Sequence, residues 1–174
     1  MKIRAAILIV ASTLALNACG KNESPTQPTT TQSQVKLTAT MLPANEVPAV
    51  SNAEASGSGT VTITLNLTKD ASGTITASNV DFAVTATGFP SGTTLTAAHI
   101  HPGVAGTTGT VLVPAGIASG EVKFADGSGG FTKTNQTITA EQVNQILANP
   151  AAFYFNIHTA LNPGGVARGQ LRLQ

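Results

Sequence analysis

The stretch Val61-Thr62-Ile63-Thr64-Leu65-Asn66-Leu67 alternates apolar and polar residues without a break. A period of two sends four aliphatic side chains to one face and Thr62, Thr64 and Asn66 to the other, which predicts a half-buried strand. The pattern recurs on both sides. Upstream, Val35, Leu37, Ala39 and Met41 alternate with Lys36, Thr38 and Thr40. Downstream, Lys69-Asp70-Ala71-Ser72-Gly73 signals a turn, and residues 74–78 begin a return strand. Val80, Phe82, Val84 and Ala86 then give another alternating strand, which ends at Gly88-Phe89-Pro90-Ser91-Gly92.

Further along, residues 95–101 read as a strand closed by Pro102-Gly103, residues 111–114 and 120–124 as strands, and residues 126–130 as a turn. Phe153, Phe155 and Ile157 alternate with Tyr154, Asn156 and His158. After the Asn162-Pro163-Gly164-Gly165 turn, residues 166–173 read as one closing strand, with Ala167, Gly169, Leu171 and Leu173 on one face and Arg168, Gln170 and Arg172 on the other. Residues 42–50 contain two prolines and are expected to be an irregular or edge segment. A single helix is predicted over 140–148. Thr139 and Gln142 form a capping box, Val143, Ile146 and Leu147 an apolar stripe, and Asn149-Pro150 a stop. Many short strands separated by turn signals predict an all-β fold, a Greek-key or immunoglobulin-like β-sandwich with that one short helix; a lipocalin-like up-and-down barrel is the alternative.

Composition bounds the function. The chain has 174 residues, of which 41% are hydrophobic, 4% aromatic and 10% charged, with no Trp. The core must therefore be built from Val, Ile, Leu and Ala. The charged fraction is far below the usual quarter. The net charge of +1 falls to about −1 once Lys2 and Arg4 are set aside. There is no basic run, which argues against nucleic acid as a partner.

Residues 1–19 read as an export segment: Lys2 and Arg4 precede an apolar run too short to span a bilayer. Leu16-Asn17-Ala18-Cys19-Gly20 resembles the bacterial lipobox. That resemblance implies cleavage before Cys19, acylation there and a membrane anchor. Gly20 after the cysteine implies the outer membrane if the cell is Gram-negative. A plain secretory signal leaving a free thiol is the competing reading. Cys19 is the only cysteine, so a disulfide within the domain is excluded. Residues 20–34 are rich in Pro, Thr, Gln and Ser and read as a flexible linker. The remaining residues, 35–174, are expected to form one domain.

Three segments together resemble the chordin-type CHRD domain: Ala44-Asn45-Glu46-Val47-Pro48; Ala97-Ala98-His99-Ile100-His101; and Asn156-Ile157-His158-Thr159 with Asn162-Pro163-Gly164-Gly165-Val166-Ala167-Arg168-Gly169-Gln170-Leu171. One departure is visible: the family usually carries an Ile where this chain has Val166-Ala167. The resemblance implies an extracytoplasmic β-sandwich, found in chordin and in exported bacterial proteins. It implies no particular activity.

All three histidines of the chain fall inside those segments. On a strand, His99 and His101 share a face, about 6.5–7 Å apart. If the strand carrying His158 is a neighbour, three imidazoles can meet on one Cu²⁺ or Zn²⁺ ion at about 2.0–2.1 Å, with water or a carboxylate as a fourth ligand. The H-x-H strand is loosely similar to that of copper/zinc superoxide dismutase. That enzyme uses more histidines and an aspartate than this chain can supply, so no dismutase is expected. The reading favoured over the metal is a structural or anion-binding role, with the imidazoles bonded to backbone carbonyls or to Asn156 and Thr159. Arg168, between a Gly-rich turn and Gly169, is expected to pair with Glu46, with an external carboxylate as the alternative. Asn45 and Glu46 read as loop-fixing residues, and Asp81 as a solvated strand residue.

No nucleophile elbow, phosphate loop, Cys-based metal site or close acidic pair is present. The sequence thus points to a membrane-anchored, non-enzymatic module that binds an envelope or extracellular protein partner. The alternative is a mononuclear copper or zinc protein with His99, His101 and His158 as ligands, engaged in storage or redox chemistry.

Overall fold

The computed structural model of the chain describes residues 29–174. The export segment, Cys19 and the linker up to residue 28 lie outside the described residues. Ten strands follow in order: β1 (Thr31–Met41), β2 (Ser58–Lys69), β3 (Ile75–Thr87), β4 (Thr93–Pro102), β5 (Val113–Pro114), β6 (Lys123–Phe124), β7 (Gly129–Thr137), β8 (Phe153–Thr159), β9 (Ala167–Gln170) and β10 (Arg172–Leu173). Among the described residues a single α-helix, α1 (Ala140–Ala148), lies between β7 and β8.

The strands form two antiparallel sheets. Sheet one has the order β10-β1-β2-β3-β7; sheet two has the order β5-β4-β8-β9, with β6 also paired to β4. The all-β sandwich expected from the sequence is what forms. The hairpin-linked run β1-β2-β3, with β10 returning beside β1, has the 4-1-2-3 order of a Greek key. The alternating aliphatics of Val61 to Leu67 all face inward, joined by Leu37, Ala39 and Met41 from β1 and by Val80, Phe82 and Val84 from β3. Ala98 and Ile100 from β4 and Phe153, Phe155 and Ile157 from β8 close the core from the other side. Phe82 and Phe155 meet across the two sheets, ring centroids 5.6 Å apart. Helix α1 has both halves of its capping box, between Thr139 and Gln142, and buries Val143 and Ile146.

Several elements differ from the sequence reading, each for a physical reason. Strand β1 begins at Thr31, inside the stretch read as linker, because Gln32 and Gln34 bond Thr68 and Asn66 at 2.9 and 2.7 Å. Residues 75–87 are one strand rather than two. Strand β7 has Phe131 as its only large apolar residue, so no alternating signature marks it; it pairs with β3 as an edge strand. Asp81, read as merely solvated, accepts from the backbone N–H of Asn135 at 2.7 Å, where β7 bulges. Residues 111–114 and 120–124 shrink to the two-residue strands β5 and β6. The closing strand is broken at Leu171, whose N–H bonds Phe153 as the chain passes from sheet two to sheet one. Among the described residues, no helix is long and apolar enough to cross a membrane.

Gly169 lets β9 lie against β1: a Cβ there would collide with the carbonyl oxygen of Thr40 and approach Ala39. Gly164, in the preceding turn, has open space around it. Gly169→Ala is expected to cost about 1–3 kcal/mol, and Gly164→Ala no more than about 0.5 kcal/mol. Urea unfolding of the two variants checks this, and equal stabilities would contradict it.

Candidate metal centre

Strand alternation decides which side chains build the site. On β4, Ala98 and Ile100 enter the core, so Ala97, His99 and His101 point to the far side of sheet two. On β8, Tyr154, Asn156 and His158 do the same, and on β9, Arg168 and Gln170. The register sets His99 opposite Asn156, His101 opposite Tyr154, and His158 opposite Ala97. Asn156 faces Arg168, and Tyr154 faces Gln170, on β9. The small Ala97 side chain leaves the His158 ring room to lean toward His99.

Most of this outer face is shielded from water, with His99 and Gln170 half-buried. Every residue of β8 is buried, on both of its faces. The cover is a roof of loops, and the outward side chains hold it down. Arg168 Nε donates to Asn45 O at 2.5 Å and Nη1 to Thr107 O at 2.7 Å. Asn45 returns a bond from Nδ2 to Arg168 O at 3.0 Å. Gln170 Nε2 donates to the carbonyls of Gly103 and Ala151 at 2.9 and 2.8 Å. Tyr154 accepts from the N–H of Gly109 at 3.3 Å, stacks on His101 at 4.9 Å with 6° between the planes, and lies 4.6 Å from Arg168 Cζ. Glu54 pins the next loop, accepting from Thr159 and Asn162 at 2.6 and 2.5 Å.

The three histidines come together. One ring nitrogen from each of His99, His101 and His158 lies within 4.8 Å of the other two. His158 Nδ1 is 3.0 Å from Pro163 O, and His101 Nδ1 is 3.0 Å from Gly109 O. A carbonyl can only accept, so both Nδ1 atoms carry the hydrogen and donate it. In the neutral rings this leaves both Nε2 atoms as lone pairs. His158 Nε2 lies 3.1 Å from His99 Nδ1 and 3.0 Å from Asn156 Oδ1, while His101 Nε2 is buried with no hydrogen-bond partner among the described residues. Burial, reinforced by the neighbouring His158 and His101, pushes the half-buried His99 down to about 4. Burial lowers His158 too, against the opposing pull of the Pro163 carbonyl. Both rings are therefore neutral at neutral pH, the state a metal requires.

Arg168 and Glu46 are brought together, but loosely, with Nε 3.9 Å from Oε2. The short bonds of the guanidinium go to the loop carbonyls instead. The room that Gly169 provides serves the backbone of β1, not an approaching ligand. Glu46 is pushed up to about 7 by burial, against the opposing effects of Arg168 and Asn156. Glu46 Oε1 and Arg168 Nη2 have no hydrogen-bond partner among the described residues. Tyr154 and Gln170 were not singled out from the sequence as roof-holding residues, although strand alternation already placed both on this face. Glu54 and the carbonyls of Thr107 and Gly109 had no sequence signal at all.

Between about pH 4.5 and 7 the folded chain retains a proton on Glu46 that the unfolded chain has released. The contribution of Glu46 to stability therefore falls as pH rises through that window. Gln at this position mimics the neutral form throughout. Glu46→Gln is expected to match the parent near pH 4.5 and to exceed it by roughly 1–3 kcal/mol above pH 7. Denaturant unfolding across the window checks this, and a gap that does not change with pH would contradict it.

A family model described as the CHRD domain matches residues 37–171. No curated protein and no solved structure matches the chain.

Proposed function

Since the chain belongs to the CHRD domain family over residues 37–171, we propose that it is a non-enzymatic binding module whose ligand is one copper or zinc ion, held by His99, His101 and His158. In this reading Cys19 carries the acyl anchor and residues 20–34 form the tether, which puts the module in the cell envelope, at the outer membrane if the cell is Gram-negative. The observation that carries the reading is the direction of the lone pairs. The Nδ1–H groups of His101 and His158 are committed to the carbonyls of Gly109 and Pro163, which leaves the Nε2 lone pair of each ring for another partner: that of His158 faces His99 Nδ1 at 3.1 Å, and that of His101 has no hydrogen-bond partner among the described residues. Metal-binding histidines are held in this way, by a hydrogen bond from the opposite ring nitrogen that fixes tautomer and orientation. Leu42, Val47, Val104 and Leu161 are exposed on or beside the roof loops and offer an apolar rim to an envelope or extracellular protein partner.

The same two carbonyl bonds favour a second reading, in which the histidines only fasten loops. The readings separate on titration of the chelator-stripped protein with Zn²⁺ and Cu²⁺. The metal reading predicts one ion per chain, a stability gain of about 2.7 kcal/mol at a hundredfold excess over Kd, and loss of both effects in His101→Ala and His158→Ala. No uptake by the parent, with reduced stability in both variants, would leave the histidines as loop fasteners.

A further inference from the structure

The roof over sheet two aims a fourth donor at the histidines. Asn156 is 1% exposed and sits directly across the strand pair from His99. Its Oδ1 lies 3.0 Å from His158 Nε2. With the His158 hydrogen on Nδ1, facing Pro163, that contact joins two acceptors with no hydrogen of their own between them. The orientation of the amide is fixed from its other end. Nδ2 is turned toward the Glu46 carboxyl, and a Cβ on Gly165 would lie 2.7 Å from Nδ2 and 2.6 Å from Glu46 Oε1. Gly165 adopts φ 134 and leaves the space in which the two groups face each other. Above pH 7, where Glu46 is ionised, flipping the amide would set its oxygen against the carboxylate oxygens of Glu46. A buried contact between two acceptors is costly unless a cation lies between them.

We infer that Asn156 Oδ1 is the fourth ligand of the metal held by His99, His101 and His158, oriented by Glu46; this rests on the three-histidine reading proposed above. The distances agree with it. In a tetrahedral site with bonds of about 2.0–2.1 Å, donor atoms stand about 3.3–3.4 Å apart. His158 Nε2 stands 3.1 Å from His99 Nδ1 and 3.0 Å from Asn156 Oδ1, so two edges of the tetrahedron are nearly in place. His101 contributes the third ring nitrogen, within 4.8 Å of the other two, and closes on them when the ion binds. In the metal-free protein the hydrogen on His99 Nδ1 bridges to His158 Nε2; to ligate, neutral His99 takes its other tautomer, with the hydrogen on Nε2, and the ion lies where the bridging hydrogen was. Three imidazoles and an amide oxygen contain no soft sulfur donor, so the set suits Zn²⁺ or Cu²⁺ and disfavours Cu⁺.

The test uses the purified protein with Zn²⁺ for affinity and Co²⁺ as a spectroscopic probe of coordination. Asn156→Leu removes the oxygen in a similar volume; Asn156→Asp keeps an oxygen at the same place. The expected result is four-coordinate visible bands for Co²⁺ in the parent, Zn²⁺ affinity reduced about 10–100-fold or more with altered Co²⁺ bands in Asn156→Leu, and parental or higher affinity in Asn156→Asp. Unchanged affinity in Asn156→Leu would overturn the inference, as would weaker binding with unchanged Co²⁺ bands, which marks a structural role. If Asn156→Leu does not fold, Asn156→Asp decides, and loss of binding in that variant overturns the inference. A parent that takes up neither metal fails the three-histidine reading itself, which is a different result from a parent that binds while its Asn156 variants bind equally well.

Discussion

The charge of Arg168 is almost completely buried, at 1% exposure, on the outer face of sheet two. A buried guanidinium must have its donors satisfied or the fold loses several kcal/mol. Here the partners are main-chain carbonyls from two separate loops, at Asn45 and Thr107. Residues 42–50 and 103–109, which have little regular structure of their own, are thereby tied to one side chain on a short strand. The ring of Tyr154 lies under the guanidinium, 4.6 Å from Cζ. Without that buried cation the roof would lose its ties at Asn45 and Thr107.

The two outer faces of the sandwich show what the roof contributes. Sheet one presents Thr38, Thr40, Thr60, Thr62 and Thr64 outward, and these residues are half-buried or exposed. That face is a solvated strand surface that needs only polar side chains. Sheet two presents His101, Tyr154, Asn156, His158 and Arg168 outward, all buried, with His99 and Gln170 half-buried beside them. Polar groups in such a layer need specific partners, and nearly all of them find loop carbonyls or one another. The atoms left over, His101 Nε2, Glu46 Oε1 and Arg168 Nη2, all lie in this layer, apart from Ser33 Oγ on β1. Unpaired polarity is thus concentrated where function is proposed, not spread over the fold.

The fold was legible wherever burial was one-sided. Val61 to Leu67, Val80 to Ala86 and the β8 stretch all alternate because one face of each meets the core, and α1 carries its capping box and stripe in plain view. Strand β7 was illegible because an edge strand needs no apolar period, and the break at Leu171 because a residue buried while crossing between sheets still looks like part of an alternation. The site was legible in part. Alternation placed His99 and His101 together, and the dense second motif supplied His158, Asn156 and Arg168. That β4 and β8 are neighbours is a long-range pairing no local pattern encodes. Nor could the sequence reveal that Arg168 lies under a roof: its alternation with Gly169 predicts a solvent-facing residue, and only the covering loops make it buried. The partner expected for Arg168 shows the same limit. Glu46 is close, yet backbone carbonyls, invisible to a reading of side chains, take the short hydrogen bonds.

What remains is whether the ring nitrogens gathered under the roof serve a metal or only one another. Diffraction from crystals of the zinc-loaded protein, collected at the zinc absorption edge, answers this most directly. The account predicts one strong anomalous peak about 2.0–2.1 Å from His99 Nδ1, His101 Nε2 and His158 Nε2, beneath an intact roof held by Arg168. A structure with no peak there, and with His99 still hydrogen-bonded to His158, would contradict it.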